Sequence, residues 1–318
     1  MARASLPVSE LQLATLVDTP PEGAEWLHEQ KFDGYRMLAD KRGAKVRLLS
    51  RRFKDWTVQF QVVANAIAKL PCDGAVLDGE VCVVLPDGRT SFQAPQNALS
   101  GQPAQLTYFA FDLLQQDDEK LMGLPLEQRK VRLAKLIAKD TTGVLKYSDH
   151  VLGSGAKFFA VACKGGLEGI ISKRRDAPYA PGRGKGWLKT KCLLRQELVI
   201  GGFTDGEGSR NGFGSLLLGY YEGKKLVYAG KVGTGFSMKT LKDLHASLAA
   251  IEQEASPYDP EPPHALTGAG RHWVAPKLVA EVAFTEWTAD GRLRHPSFQG
   301  LRADKLARDV VRERPATT

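Results

Sequence analysis

The sequence lacks the features that mark membrane, secreted and zinc-ribbon proteins. Its 318 residues contain no uncharged apolar run near the roughly 18 residues that a membrane helix needs, and Met1–Ser5 precede polar sequence where a signal peptide would be apolar. Its cysteines are Cys72, Cys82, Cys163 and Cys192, with no C-x-x-C pair and no histidine at zinc-ligand spacing. These absences argue against membrane spanning, secretion, a zinc site and a disulfide framework, and they suit a reducing cytoplasm.

Composition and charge fit a globular protein with a polyanionic partner. Hydrophobic residues make up 43% of the chain, charged residues 25%, and the mean hydropathy is −0.26. The 44 Lys and Arg against 36 Asp and Glu give a net charge of +8. This balance favours nucleic acid as a partner, although many enzymes without one are equally basic. The length favours two domains at roughly 100–200 residues each.

Hydrophobic spacing predicts a mixture of helices and strands. Apolar residues recur at helical spacing in residues 58–70, 126–139 and 240–254. Strand-like runs bounded by turn residues lie at 45–49, 76–85, 107–114, 169–172, 197–203, 215–221, 225–232 and 278–287. We therefore expect an α+β fold, with antiparallel sheets and flanking helices in the N-terminal part.

The pattern of predicted strands and helices changes near residues 189–196. This change predicts one domain at 1–191 and another at 192–318. Short strands, one helix and a Pro-rich loop at 256–263 follow in the order expected of a five-stranded OB-fold barrel. The Gly-rich run at 202–214 lacks both G-x-G-x-x-G and G-K-[ST]. We interpret it as a hairpin connection and not as a phosphate loop.

The strongest local signal is E-Q-K-F-D-G-Y-R at residues 29–36. Alone, its lysine could be a solvated charge at a strand edge, and its Asp-Gly a simple turn. Further charged motifs follow in order: S-R-R (50–52), L-D-G-E (77–80), F-A-F-D-L (109–113), L-E-G-I-I-S-K (167–173), W-L-K-T-K (187–191) and R-H-P-S-F-Q-G-L-R-A-D-K (294–305). Together they resemble the ATP-dependent DNA ligases of the covalent nucleotidyltransferase superfamily, and most of all the ligase module of bacterial end-joining ligases.

This resemblance implies that Lys31 is the nucleophile that forms a covalent AMP-lysine intermediate with ATP. An amine attacks phosphorus only when it is neutral, so its pKa, normally near ~10.4, has to be lowered by cations or burial. Lys189, Lys191 and Arg36 would supply positive charge and neutralise the α-phosphate. The two lysines lie at i and i+2, which puts both on one face of a strand. The alternative for them is a basic surface stripe.

Glu80 and Glu168 are flanked by glycine and apolar residues, which suggests carboxylates at strand ends that face a cleft. The resemblance assigns Glu80 to the ribose hydroxyls or a metal, and Glu168 to Mg²⁺ or Mn²⁺. Oxygen ligands suit such ions. Structural salt bridges are the alternative for both residues. Asp33 is expected to orient its turn.

For the base, the resemblance assigns Glu29 to the adenine amino group and Phe111 to stacking on the purine, with core packing as the alternative for Phe111. Arg51 would contact AMP or the 5′-phosphate of a nick, because a guanidinium fork suits phosphate oxygens. Arg52 stands where many relatives have asparagine. The segment 172–191 is rich in basic residues and glycine and would bind DNA phosphates.

The last motif contains Arg294, Arg302, Asp304 and Lys305. By resemblance it swings over the nucleotide to orient pyrophosphate and then moves away when DNA is held, with 189–196 as the hinge. A basic tail is the alternative.

The implied function is sealing of nicked duplex DNA in bacterial end-joining repair, by a monomer in the cytoplasm with DNA-end-binding proteins as further partners. An RNA ligase or a capping-type guanylyltransferase shares K-x-D-G and the barrel. Glu29 and the form of the last motif favour adenine and DNA. A non-catalytic OB-fold module that binds DNA ends is a third alternative.

Overall fold

The computed structural model describes residues 6–91, 105–192, 194–206, 212–267 and 270–316. The chain divides into a first unit, Met1–Cys192 with Pro315–Thr318, and a second unit, Leu193–Arg314. None of the helices in the described ranges is long and apolar enough to cross a membrane.

The first unit contains two sheets and three described helices. Its strands are β1 (Gln12–Leu16), β2 (Trp26–Gln30), β3 (Tyr35–Arg42), β4 (Lys45–Ser50), β5 (Gly74–Val84), β6 (Thr90–Ser91), β7 (Leu106–Gln116), β8 (Glu119–Lys120), β9 (Leu145–Tyr147), β10 (His150–Leu152), β11 (Gly169–Arg174) and β12 (Gly182–Lys191). Its helices are α1 (Gln61–Ala68), α2 (Leu126–Ile137) and α3 (Gly155–Lys164). Sheet A has the order β1-β12-β11-β2-β10, and sheet B has the order β4-β3-β5-β7-β8, with β6 on β5 and β9 on β7.

Sheet B is covered on both faces, which explains why nearly every residue of β5 is buried. On one face, α1 and α2 add residues such as Ile67 and Leu133 to a core cluster. On the other face, Val76 of β5 belongs to a cluster with Tyr179 and Trp187, which lies on β12 of sheet A. The two sheets therefore pack against each other, and charged side chains of both can meet at that interface.

The second unit is built around one sheet with a helix packed on it. Its strands are β13 (Leu194–Asp205), β14 (Phe213–Glu222), β15 (Lys225–Val232), β16 (Glu252–Gln253), β17 (Arg271–Val274), β18 (Val279–Phe284), β19 (Glu286–Trp287), β20 (Leu293–Arg294) and β21 (Ser297–Leu301). Its α-helices are α4 (Met238–Ala249) and α5 (His264–Thr267), and a 3₁₀ turn spans Ala307–Asp309. The Ser237 hydroxyl caps α4 by accepting the Thr240 N–H at 3.1 Å.

The fold class is α+β, as the sequence predicts, and a helix overlaps each of the three predicted helical segments. The expected closed five-stranded barrel is not seen. Over the residues that the structure describes in the second unit, the strands pair as an open path β15-β14-β13-β17-β16, with β18 between β13 and β21. The Gly-rich run joins β13 to its antiparallel partner β14, and its residues 207–211 lie outside the described residues.

The cysteines require a second correction. Cys163 at the end of α3 and Cys192 after β12 form a disulfide across 29 residues, whereas Cys72 and Cys82 are free. We predicted no disulfide framework because the four cysteines are not regularly spaced along the sequence. The pair is instead brought together by the packing of α3 beside the end of sheet A.

Candidate active site

Lys31 follows β2 and pairs with Glu168, the residue before β11. Its Nζ lies 2.6 Å from Glu168 Oε1, and its N–H donates to the Gly169 carbonyl at 2.9 Å. A Cβ at Gly169 would lie 2.1 Å from the Thr190 carbonyl oxygen, and one at Gly34 would lie 2.3 Å from a backbone oxygen of β5. Gly169 thus lets β11 approach β12 closely beside Glu168, and Gly34 lets the turn after Lys31 approach β5.

The charge on Lys31 is set by carboxylates. Burial lowers the pKa of the amine, but the charge and hydrogen bond of Glu168, with smaller contributions from Asp33 and Glu80, raise it above the ordinary value. The expectation of a lowered pKa is therefore wrong here, because it considered the nearby cations and not the carboxylates. In this arrangement the amine is protonated and needs to lose a proton before it can act as a nucleophile.

Arg36 on β3 is held by a buried carboxylate. Its Nε and Nη2 donate to Asp78 Oδ1 and Oδ2 at 3.0 and 2.6 Å, and the Tyr179 hydroxyl donates to Asp78 at 2.8 Å. Its guanidinium carbon lies 5.4 Å from the ring centroid of Phe111 and 5.6 Å from that of Trp187. These contacts fix a cation between sheets A and B.

Glu80 on β5 lies opposite Arg36 on β3 and opposite Phe109 on β7, so all three share one face of sheet B. Its charge acts on Lys31, and so does that of Glu168. No group of three or more His, Cys, Asp or Glu that could hold a metal occurs within the described ranges. A pair of carboxylates nevertheless fits Mg²⁺, which typically takes one or two of them and completes its shell with phosphate oxygens and water.

The predicted lysine pair lies on β12 of sheet A. Lys189 stands opposite Ile171, which stands opposite Glu29, and Lys191 stands opposite Gly169. Along the strand, both lysines share a face with Trp187, whose ring also contacts the guanidinium of Arg36. The register therefore places the two lysines on the face of sheet A that carries Glu29.

Glu29 lies in a network that the sequence reasoning missed. Its carboxylate accepts from Lys130 at 2.7 Å, from Lys173 at 3.0 Å and from the Ser148 hydroxyl at 2.6 Å. Burial raises the pKa of Glu29, but the two lysines outweigh that effect and hold it below its usual value. Lys173 is the last residue of the motif 167–173, and that position is the only sequence feature that could have identified it. No sequence feature pointed to Lys130. The assignment of Glu29 to adenine stays a prediction.

The aromatic residues of β7 have two different environments. Phe111 is partly buried, packs edge-on against Trp187 at 5.9 Å and borders the cluster between the sheets. Phe109 stacks on Phe32, the residue after Lys31, with centroids 4.1 Å apart. The sequence reasoning missed Phe32, and adjacency to the nucleophile was the available signal. Stacking of adenine on Phe111 stays a prediction.

Two other predicted arginines lie at the end of β4. Arg51 is partly buried in the turn that follows the strand, and Arg52 is exposed. The contact of Arg51 with AMP or the 5′-phosphate of a nick stays a prediction.

The residues of the last motif lie in the second unit. Arg294 pairs with Glu286 at 2.6 Å on an exposed surface. Arg302 donates to both oxygens of Asp304, at 2.9 and 2.8 Å, and its Nη1 lies 3.1 Å from Glu281. Lys305 lies 2.8 Å from Glu197, which is also 3.6 Å from Arg302. Arg302 and Lys305 thus belong to a mostly buried ion-pair network.

Two family models match the chain. Residues 12–191 match the ATP-dependent DNA ligase domain, and residues 209–305 match the ATP-dependent DNA ligase C-terminal region. The chain belongs to the ATP-dependent DNA ligase family. Its first unit contains the ATP-dependent DNA ligase domain, and its second unit contains the C-terminal, OB-fold-type region of such ligases.

Relatives of known name agree with this membership. The chain is 41% identical over 309 residues, 96% of its length, to the multifunctional non-homologous end joining protein LigD of Pseudomonas aeruginosa, and it spans 36% of that protein. It is also 41% identical to the corresponding DNA repair protein of Mycobacterium tuberculosis over 294 residues, covering 92% of this chain and 38% of that one. A solved structure of mycobacterial DNA ligase D complexed with ATP and MES shares 38% identity and a TM-score of 0.69, covering 95% of this chain and 98% of that one. The chain thus spans little more than a third of the length of these two relatives.

Proposed function

We propose that this ligase adenylates Lys31 with ATP, transfers AMP to the 5′-phosphate of a nick in duplex DNA and joins the strand through the 3′-hydroxyl. In the first step, the Lys31 ammonium loses a proton to solvent and Nζ then forms a bond to the α-phosphorus. The bond from the α-phosphorus to the oxygen bridging to the β-phosphorus breaks, pyrophosphate leaves, and Nζ releases a second proton to give the phosphoramidate. Splitting one condensation into covalent steps replaces one high barrier by several lower ones.

The observation that carries this proposal is the ion pair between Lys31 and Glu168, 2.6 Å apart, inside the E-x-K-x-D-G turn. Lys31 is held where Glu80 and Glu168 both act on it and where β12 presents Lys189 and Lys191 on the Glu29 face of sheet A. We assign the two β12 lysines to the phosphates, where positive charge offsets the charge that develops in the transition state.

Glu80 and Glu168 are the proposed holders of a divalent cation, Mg²⁺ or Mn²⁺. When bound, such an ion would neutralise phosphate charge and offset the carboxylate charge that raises the pKa of Lys31. The chain's own contribution is to place both carboxylates beside the amine. Glu80 is also proposed to accept from the ribose hydroxyls.

The remaining predicted residues complete the nucleotide site of this proposal. Arg36 and Arg51 bind AMP or phosphate, Glu29 accepts from the adenine amino group, and Phe111 stacks on the base. The proposed domains are residues 1–191 for adenylation and 192–318 for the OB-fold domain. From the second domain, Arg294, Arg302 and Lys305 orient pyrophosphate during the first step.

The names of the relatives support a place in end-joining repair. In this proposal the ligase acts as a monomer on chromosomal DNA in the bacterial cytoplasm, together with proteins that bind DNA ends. The exposed basic side chains of the segment 172–191, such as Arg183 and Lys185, contact the DNA backbone without reading bases.

The test is sealing of a duplex with one nick, one labelled 5′-phosphate and a divalent cation. ATP should give joined strand and a transient AMP-DNA species, whereas GTP should give neither, and Lys31→Ala should seal nothing. Sealing confined to RNA strands would identify an RNA ligase, covalent labelling by GTP a guanylyltransferase, and DNA binding without joining a binding module. Any of these three results contradicts the proposal.

A further inference from the structure

A cluster of buried charges lies beside the candidate site and has no part in the phosphate chemistry. We define the buried lysine cluster as Glu29, Lys130, Lys173 and Ser148. The charged side chains of this cluster are each only 2% exposed. Both Glu29 oxygens are occupied, Oε1 by Lys130 and Oε2 by Lys173 and Ser148.

The two lysines differ in what else they contact. Lys130 Nζ donates to the Ser148 carbonyl at 2.8 Å and lies 4.5 Å from the ring centroid of Tyr147. Lys173 Nζ lies 4.5 Å from the Phe111 centroid and 4.4 Å from that of Trp187, and it is 3.4 Å from the Phe111 carbonyl oxygen. An ammonium over desolvated aromatic faces is attracted by the ring quadrupole. Lys173 therefore ties Glu29 on β2 to Phe111 on β7 and to Trp187 on β12.

The cluster holds two lysines for one carboxylate, which is a costly arrangement in a buried site. Burial lowers the pKa of Lys173 to about 8, although Glu29 and Asp112 pull it upward, and Lys130 adds to the lowering. An apolar side chain would fill the same space without this cost. The charge of Lys173 is therefore better explained by its contacts with Glu29, Phe111 and Trp187 than by a need to fill space between the sheets.

We propose that Lys173 is a positioning residue for the nucleotide base. It fixes the Glu29 carboxylate and the Phe111 ring relative to each other, and these are the two side chains assigned to adenine. This inference rests on the proposed function and deepens it. Removing Lys173 should loosen base recognition while leaving the groups around Lys31 and Glu168 in place.

The test compares Lys173→Met with Lys130→Met. The two variants are matched, because each leaves Glu29 with one lysine and Ser148, but only the first removes the contacts to Phe111 and Trp187. Titration calorimetry with the α,β-methylene analogues of ATP and GTP, which cannot transfer their nucleotide to Lys31, gives the affinities in the presence of Mg²⁺, and thermal unfolding checks the fold. If Lys173→Met unfolds, Lys173→Gln keeps a donor toward Glu29 and removes the charge over the rings.

We expect the variant at position 173 to lose about tenfold in ATP affinity, the effect of one hydrogen bond to a charged group, and a similar factor in preference for ATP over GTP. Its sealing rate at saturating ATP should stay within about threefold of the unchanged protein, and Lys130→Met should lose less than about threefold in affinity. The inference about Lys173 would be overturned if Lys173→Met kept its affinity for ATP and its preference for ATP over GTP, or if Lys130→Met lost as much. The proposed function would not be affected by either result. An unchanged protein that binds no ATP, or does not prefer it, would overturn the proposed function and this inference with it.

Discussion

At the scale of single residues, Lys31 depends on the charge of Glu168. The nearby carboxylates raise the pKa of the Lys31 amine, so the proposed nucleophile is protonated in this arrangement. An opposite charge within about 4–6 Å favours the charged form of a lysine, and here the distance is 2.6 Å. The reactivity of Lys31 therefore depends on how far that carboxylate charge is offset.

Glu168→Gln should lower the pKa of Lys31, because it removes the largest influence that raises it and leaves the burial that lowers it. Without added metal, the rate at which an acylating reagent modifies Lys31 at a fixed mildly alkaline pH should rise about tenfold, as measured by peptide mass spectrometry. Glu127→Gln, which removes a carboxylate paired with Arg175, is the control and should leave the rate unchanged. Equal rates in both variants would mean that Glu168 does not control the amine.

Sequence reasoning found the residues that lie inside compact motifs and missed those that the fold brings to them. Lys31, Arg36 and Glu168 lie in short motifs, and the residue types in these motifs indicate a nucleotide-binding site. Lys130 lies on an amphipathic helix, where a lysine is normally exposed, and its partner Glu29 is 101 residues away. No local pattern encodes such a contact, because it depends on how α2 packs against sheet B.

At the scale of elements, strands with clear turn residues and helices with clear apolar spacing were predictable. Helix α3 was not, because Gly155–Lys164 begins with glycine, has no side-chain cap, and follows a serine in the left-handed conformation. The closure of the second sheet was also wrongly expected. Order along the chain suggests neighbouring strands, but the register and bulges of β13 and β14 decide which edges meet.

The disulfide should stabilise the first unit, in which it ties α3 to the end of β12. Closing a loop of this length removes chain entropy worth about 3–4 kcal/mol. Reduction, or Cys163→Ser, should therefore lower the midpoint of thermal unfolding by about 10 °C. Differential scanning calorimetry with and without reductant measures this difference.

Cys72→Ser is the matched control, because Cys72 is free, and this variant should keep the full response to reductant. Disulfides are rare in a reducing cytosol, so the state of the bond also needs a direct measurement. Alkylation of the native protein without reductant, followed by intact mass, should modify neither Cys163 nor Cys192. Modification of both would contradict the bond.

At the scale of the whole molecule, the account assigns different reaction steps to the two units. The proposed nucleophile and metal ligands belong to the first unit, and the last motif belongs to the second. If the last motif orients pyrophosphate, its loss should affect only the step that releases pyrophosphate.

Arg294→Ala should slow self-adenylation about a hundredfold while leaving the sealing of pre-adenylated nicks within about threefold. Single-turnover assays of both steps measure this difference. Arg294→Ala separates an effect on catalysis from an effect on folding, because the exposed ion pair between Arg294 and Glu286 contributes little to stability. Lys189→Ala should harm both steps, because the proposal assigns its charge to the phosphate of AMP in each of them.

Arg302→Ala is expected to show the same separation of steps, but it also leaves Glu281 and Asp304 without this cation, so thermal unfolding is measured alongside. Equal losses in both assays for Arg294→Ala would mean that the last motif holds DNA or the fold. The proposal that this motif orients pyrophosphate would then be abandoned.

Intact mass spectrometry after incubation with ATP and Mg²⁺ shows whether Lys31 carries AMP. The account predicts a gain of one AMP per chain that peptide mapping places on Lys31 and that Lys31→Ala abolishes without loss of folding. A protein that gains no AMP, or that carries it on any other residue, would contradict the account.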